Sequence, residues 1–272
     1  MKYMRTVIKG ILVAVYFLMG LVTACMAQAT EKIEVPLTKP GQPGRLNINL
    51  ITGSIKVTGY KGKEVEINYA TRGEPHRPPV REEAEGLRRL PQISGLEVME
   101  DNNVVTIRTG PARAVDLDIK VPANFSVKLK TINGGDILVE DLEGELGLNN
   151  INGNIRMSNI AGTASASTIN GNIIANFRRV AANVPMAFSS LNGKIDVSLP
   201  ANAQFNAKLK TDNGDIYTDF DMPVNKPASK EEFDRNGRRI MTDKWLYGKI
   251  NGGGPELLFK NFNGNIYIRK NK

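Results

Sequence analysis

An Asn-Gly pair followed closely by Ile recurs down the second half of this chain, and its spacing sets what the chain can fold into. The copies are Asn152-Gly153-Asn154-Ile155, Asn170-Gly171-Asn172-Ile173, Asn192-Gly193-Lys194-Ile195, Asn213-Gly214-Asp215-Ile216 and Asn263-Gly264-Asn265-Ile266. A form one residue longer stands at Asn133-Gly134-Gly135-Asp136-Ile137. From Asn133 to Asn213 the successive Asn positions are 19, 18, 22 and 21 residues apart. A period near twenty marks a repeat architecture, in which each unit is one supersecondary piece stacked on its neighbours.

Each repeat holds two short stretches of alternating apolar residues. Leu146/Leu148, Ile155/Met157, Ile195/Val197/Leu199 and Phe205/Ala207/Leu209 fall at i, i+2, so each set points to one side of a strand. Asn-Gly between such stretches is a strong hairpin signal, because both residues tolerate positive φ. An antiparallel β-sandwich is therefore one reading. A β-solenoid is the preferred one, because the motif keeps the same register to the apolar positions in every copy. It places the Asn at the same corner each time, where its amide can hydrogen-bond the Asn of the next coil, and it places Gly, Gly171 among them, where φ is positive and a Cβ does not fit. The expected corners are Asn133 and Gly134, Asn152 and Gly153, Asn170 and Gly171, Asn192 and Gly193, Asn213 and Gly214, and Asn263 and Gly264. Six coils about 4.8 Å apart give a rod roughly 30 Å long.

At these residues the chain resembles a known family. Thr131-Ile132-Asn133-Gly134-Gly135-Asp136-Ile137-Leu138-Val139, then Gly144-Glu145-Leu146 and Asn150-Ile151-Asn152-Gly153-Asn154-Ile155, are similar to the putative-adhesin domain family of bacterial envelope proteins. The resemblance spans about Leu46 to Arg269 and implies an all-β solenoid with an adhesin-like role.

The rest of the chain divides around the repeats. Residues 1–29 read as an export signal, with Lys2, Arg5 and Lys9 ahead of an apolar stretch from Ile11 to Val22 that is short for a membrane span. Two processing sites compete. Ala27-Gln28-Ala29 suits ordinary cleavage, whereas Val22-Thr23-Ala24-Cys25 resembles a lipobox that ends the signal at residue 24 and lipidates Cys25, the single cysteine. Both readings place the mature chain outside the cytoplasm, in the periplasm, outer membrane or cell surface, with no disulfide. Residues 30–45, with Pro36, Pro40 and Pro43, read as a tether, and residues 46–272 as the solenoid domain. Insertions are expected at 73–91, where residues 81–90 suit one or two helical turns, and at 221–249.

The chemistry is sparse. His76 is the only histidine, so triads and multi-His or multi-Cys metal sites lack their ligands. Calcium-binding coils need an acid in every short repeat; here Asp136 and Asp215 alternate with Asn154, Asn172, Lys194 and Asn265. Glu82, Glu83 and Glu85 could pair for glycoside chemistry, but three adjacent acids more often form a solvated face. The Gly252-Gly253-Gly254 run lacks the Lys-Ser/Thr of a phosphate loop and reads as a corner stripped of side chains. The formal charge of +8 is scattered, and no aromatics interleave with basic residues as nucleic-acid binding requires. No cofactor is expected, and a membrane enters only through a lipid anchor.

These observations describe an exported, non-enzymatic scaffold or adhesin-like binder whose partner is an envelope protein or a surface glycan. An accessory module in envelope-stress signalling is the first alternative, and a polysaccharide-acting enzyme the second. Specific contacts tend to sit on loops held by a rigid scaffold, and hot spots favour Trp, Tyr and Arg. The candidate binding residues are therefore Arg81, Arg88, Arg89, Trp245 and Tyr247, with Tyr267 a further candidate for stacking on a sugar ring and capping of the last coils the competing role for Trp245 and Tyr247.

Overall fold

The computed structural model describes residues 31–72, 96–110, 114–225, 230–234, 237–241 and 245–271. The signal segment, Cys25, the 73–91 insertion with Arg81, Arg88 and Arg89, His76 and the Glu82–Glu85 acids lie outside these residues. The described part is all-β, with no helix.

The repeats pair in parallel and in register, not as the antiparallel hairpins that Asn-Gly otherwise signals. Strands that lead into an Asn-Gly corner form one sheet, and strands that leave it form another. In the leading sheet Asn152 stands opposite Asn170, Asn170 opposite Asn192, and Asn192 opposite Asn263. In the trailing sheet Ile55, Ile137, Ile155, Ile173, Ile195 and Ile266 form one continuous row, each opposite the next. All six are fully buried. The Phe188 and Phe259 rings extend the same logic in the core, stacked 5.3 Å apart because their strands pair in register.

Three ladders hold the corner. In the order Asn133, Asn152, Asn170, Asn192, Asn263 and Asn213, each Asn amide donates to the side-chain oxygen of the one before it, at 2.8–3.2 Å. The residue just before each motif Ile gives a second ladder, in which Asp136, Asn154 and Asn172 each accept from the next coil's backbone N–H at 2.8–2.9 Å. A third ladder lies inside. Two places before each Asn, a small polar residue donates to the glycine-corner carbonyl of the neighbouring coil. Thr131 reaches Gly53, Asn150 reaches Gly135, Thr168 reaches Gly153, Ser190 reaches Gly171, Asn261 reaches Gly193 and Thr211 reaches Gly264, at 2.7–3.1 Å. The first five of these side chains are buried, where an unmade hydrogen bond costs far more than at the surface.

The stack does not follow chain order. Glu256–Asn263 and Ile266–Lys270 lie between the coil at Met186–Leu199 and the coil at Phe205–Thr218. At the other end Arg45–Asn49 lies between Val104–Thr109 and Ser126–Thr131, and Ile55–Tyr60 between Ala114–Pro122 and Ile137–Glu140. The last described strand, Ile266–Lys270, is thus inside the stack.

Three expectations need correction. Residues 31–36 are not tether: Glu31–Pro36 pairs antiparallel with Glu64–Arg72, and Val35 is buried. Ile33 and Val35 alternate as a strand does, and Pro36 is tolerated because it ends an edge strand. The 221–249 segment is not wholly an insertion, since Leu246–Ile250 pairs antiparallel with Phe205–Asn213 and carries Val224–Asn225 on its other side. These antiparallel strands, with Leu96–Asp101 on Val104–Thr109, cover edges that a parallel stack would leave open to aggregation. Finally, Gly171 does not have positive φ, although Gly153, Gly193, Gly214 and Gly264 do. Its requirement is space: a Cβ there would sit 2.0 Å from the Gly153 carbonyl oxygen.

That distinction is testable. Gly171→Ala should destabilise by about 1–3 kcal/mol through forced backbone displacement. Gly147→Ala, where the nearest atom to a new Cβ is 3.8 Å away, should be neutral or stabilise by up to about 1 kcal/mol. Urea unfolding of the two variants checks both; equal losses would show that the close approach is not what selects Gly171.

Asp116 closes the second ladder at the far end. It accepts from Ser54 N–H at 2.9 Å, from the Ser54 hydroxyl, and from Arg72 Nη2 at 2.5 Å. Burial pushes its carboxyl up, but the Arg72 and Ser54 hydrogen bonds together outweigh burial and hold it below the usual carboxylate range. A depressed folded pKa stabilises above the unfolded pKa, near 3.9, and that contribution fades as pH falls through the lower folded value. The stability difference between wild type and Asp116→Asn should therefore be constant above about pH 5 and shrink below about pH 4. Urea midpoints across this range read it directly; a difference that grew on acidification would reverse the assignment.

Candidate binding surface

The stack decides which side chains remain for a partner. Corner amides are engaged from coil to coil, and alternate strand residues point into the core. The outward sheet faces and the corner rows are what is left. Through its middle the leading sheet turns small side chains outward: Gly147 and Asn149, Ser165 and Ser167, Ala187 and Ser189.

Towards the coil at Phe205–Thr218 this smooth face changes character. Antiparallel pairing of Phe205–Asn213 with Leu246–Ile250 sets Lys208 opposite Tyr247. Lys208 Nζ lies 5.1 Å from the Trp245 ring centroid and 6.0 Å from that of Tyr247, and Lys210 Nζ lies 5.8 Å from Trp245. Lys210 also pairs with Asp212 at 3.7 Å. Trp245 is half-buried and Tyr247 exposed. The two aromatics nominated from the sequence are thus brought together, and the structure adds two lysines. Each such cation–ring contact contributes about 0.5–1 kcal/mol at an exposed site, enough to fix the rings as a platform.

The trailing sheet carries a second aromatic platform at the same end. Tyr217 and Tyr267 stand in register and stack 5.2 Å apart with an 11° interplanar angle. Arg269 lies over Tyr267 at 4.9 Å and donates to Asp196 Oδ1 at 2.8 Å. The Tyr217 hydroxyl donates to Asp215 at 3.2 Å, and that carboxylate's charge pushes the hydroxyl above its usual range. Tyr217 therefore stays a neutral donor. Sequence reasoning named Tyr267 but missed its partner. The signal was present, because both tyrosines directly follow an Asn-Gly-x-Ile motif.

A third feature was also overlooked. The residue just before each corner Asn, and Ile51 before Thr52 of the first copy, points outward, giving a row of Ile51, Ile132, Ile151, Ile169, Leu191 and Phe262. Ile51, Ile169, Leu191 and Phe262 are exposed, and Ile132 and Ile151 are half-buried. The row ends at Asp212, the equivalent residue of the last coil. Among the described residues no group of three or more His, Cys, Asp and Glu side chains is placed to hold a metal ion.

Comparison with known proteins places this geometry. The family model described as Toastrack DUF4097 matches residues 91–242, which bears out the resemblance read from the repeat. No curated protein matches the chain. Among solved structures, a putative cell adhesion protein from Clostridium sporogenes is similar, at 11% identity and a TM-score of 0.49, over 89% of this chain and 99% of its own. A putative adhesin from Bacteroides fragilis is similar at 10% identity and a TM-score of 0.36, over 90% of this chain and 98% of its own. A putative lipid binding protein from Parabacteroides distasonis is similar at 10% identity and a TM-score of 0.31, over the same shares.

Proposed function

We propose that this chain, which belongs to the Toastrack DUF4097 family, is an exported, non-enzymatic β-solenoid of the bacterial cell envelope that binds a partner in an adhesin-like manner. The carrying observation is two pairs of aromatic side chains, each set beside fixed charges, near the coil at Phe205–Thr218. Lys208, Lys210, Trp245 and Tyr247 occupy one sheet face there, and Tyr217, Tyr267, Arg269 and Asp196 the other. Rigid aromatics beside fixed charges suit recognition of a sugar ring or a peptide, since they present contact area at little entropic cost. The export reading rests on the basic residues and apolar stretch of the first 22 residues and on Cys25 or Ala29 as the processing point. The solenoid reading rests on the parallel in-register pairing of coils and the corner ladders.

The two platforms can be separated experimentally. Trp245→Ala/Tyr247→Ala and Tyr217→Ala/Tyr267→Ala would be compared with wild type on a glycan array and in attachment to isolated cell envelopes. Loss of a hot-spot pair should weaken binding about 30-fold. Retention of an envelope protein in place of a glycan would favour the accessory signalling role. The reading fails if both double variants fold and bind as wild type does. It also fails if the protein hydrolyses a polysaccharide and Glu82→Gln, Glu83→Gln or Glu85→Gln abolishes that activity.

A further inference from the structure

Each coil has a second corner, where a trailing strand hands over to the next leading strand, and in the first coils it is closed. A Cβ on Gly144 would meet the Phe125 carbonyl oxygen at 2.2 Å, and one on Gly162 the Gly144 carbonyl oxygen at 2.3 Å. Further along the stack the corner loops lengthen. Residues 181–185 and 200–204 are such corner loops, residues 251–255 cross within the leading sheet from Leu246–Ile250 to Glu256–Asn263, and between the three opens a cleft of about 480 Å³. That volume lies within the range of small-molecule sites, about 300–1,000 Å³.

The lining is chemically one-sided. Arg178 and Arg179 contribute the only formal charges among the described lining residues, and Asn183, Asn202 and Gln204 contribute carboxamides. Glu143, outside the lining, engages Arg178 at 2.5 Å. Arg179 is exposed and makes no ion pair among the described residues, though Glu143 lies near enough to feel its charge. The guanidinium therefore offers donors to an incoming anion.

The walls are tied in place. Asn251 Nδ2 donates to the carbonyls of Ala201 at 3.0 Å and Ala203 at 2.8 Å, and Asn206 Nδ2 donates to the Gly254 carbonyl at 2.6 Å. Asn251, Gly252 and Gly253 all have positive φ, at 49°, 89° and 86°. The triple-glycine run thus lets one loop turn sharply and approach another: a Cβ on Gly254 would lie 2.5 Å from the Gln204 carbonyl oxygen. Loops fixed before binding lose little entropy when a ligand arrives.

We propose that this cleft is a binding site for a small anionic saccharide, with Arg179 taking the carboxylate or phosphate and Asn183, Asn202 and Gln204 taking hydroxyls. The site is separate from the aromatic platforms. Glucuronic acid and glucose 6-phosphate are the probes, glucose is the neutral control, and an oligouronate distinguishes a polymer-borne acid from a free one. Chemical-shift titration of the full mature chain should show both anionic probes perturbing cleft resonances, with glucose at least about tenfold weaker. Removing a charge-assisted hydrogen bond in Arg179→Ala should weaken the anions about tenfold or more. Asn202→Ala should weaken them less, and Trp245→Ala should leave them unchanged, which keeps this result distinct from the fate of the platforms. Tighter binding of the oligouronate than of glucuronic acid assigns the ligand to a polymer, and the reverse assigns it to a free acid. The proposal is overturned if no anionic probe perturbs the cleft, if glucose binds as well, or if Arg179→Ala, with a wild-type thermal midpoint, binds as wild type does.

Discussion

Neighbouring Asn-Gly corners approach so closely that a Cβ on the glycine collides with the backbone of the next coil, and most other features follow from that approach. It brings each glycine-corner carbonyl within reach of a Thr, Ser or Asn side chain from the adjacent coil. That hydrogen bond satisfies a buried polar pair while fixing the register. A slip of one residue would turn every apolar side chain outward, so the Ile row and the Phe188–Phe259 stack depend on the corner as much as on their own burial. Apolar burial supplies most of the free energy, and the corner decides which of many apolar stackings is adopted.

The repeat made the corners legible, along with the Asn ladder and the alternation of buried residues, because these are local patterns copied at a fixed period. The third ladder was equally written in the chain, as Thr131, Asn150, Thr168, Ser190, Thr211 and Asn261, but a small polar residue near a turn has many ordinary explanations. The strand at Glu31–Pro36 was hidden by Pro36 and by Pro40 and Pro43 just beyond it. Gly171 was assigned to positive φ by analogy with its fellows, although sequence cannot separate a conformational demand from a steric one. The order of the stack was not legible at all. Nothing local to Asn263 says that it sits between Asn192 and Asn213, since near-identical repeats carry no information about which neighbours which.

The candidate surfaces divide along the same line. Trp245 and Tyr247 stood out by residue type alone. Their lysine partners came from pairing between strands 39 residues apart, as Lys208 opposite Tyr247 shows. Tyr217 and Tyr267 became a stacked pair only because the stack places their coils side by side. The basic cleft depends on three loops from distant segments, which no single stretch of sequence reveals.

The displaced final coil also bears on how the molecule comes apart. Repeat arrays that stack in chain order can fray from their last unit, because that unit has one neighbour. Here the last segment is gripped on both faces, by Met186–Asn192 on one side and Phe205–Asn213 on the other. A pull on the chain just beyond Lys270 therefore loads two parallel ladders at once, in shear. During synthesis the coil at Phe205–Thr218 has no inner neighbour until residues 256–270 emerge, so this end of the stack closes only when that segment arrives. A chain truncated before residue 256 would lack the piece that joins the coil at Phe205–Thr218 to the coil at Met186–Leu199.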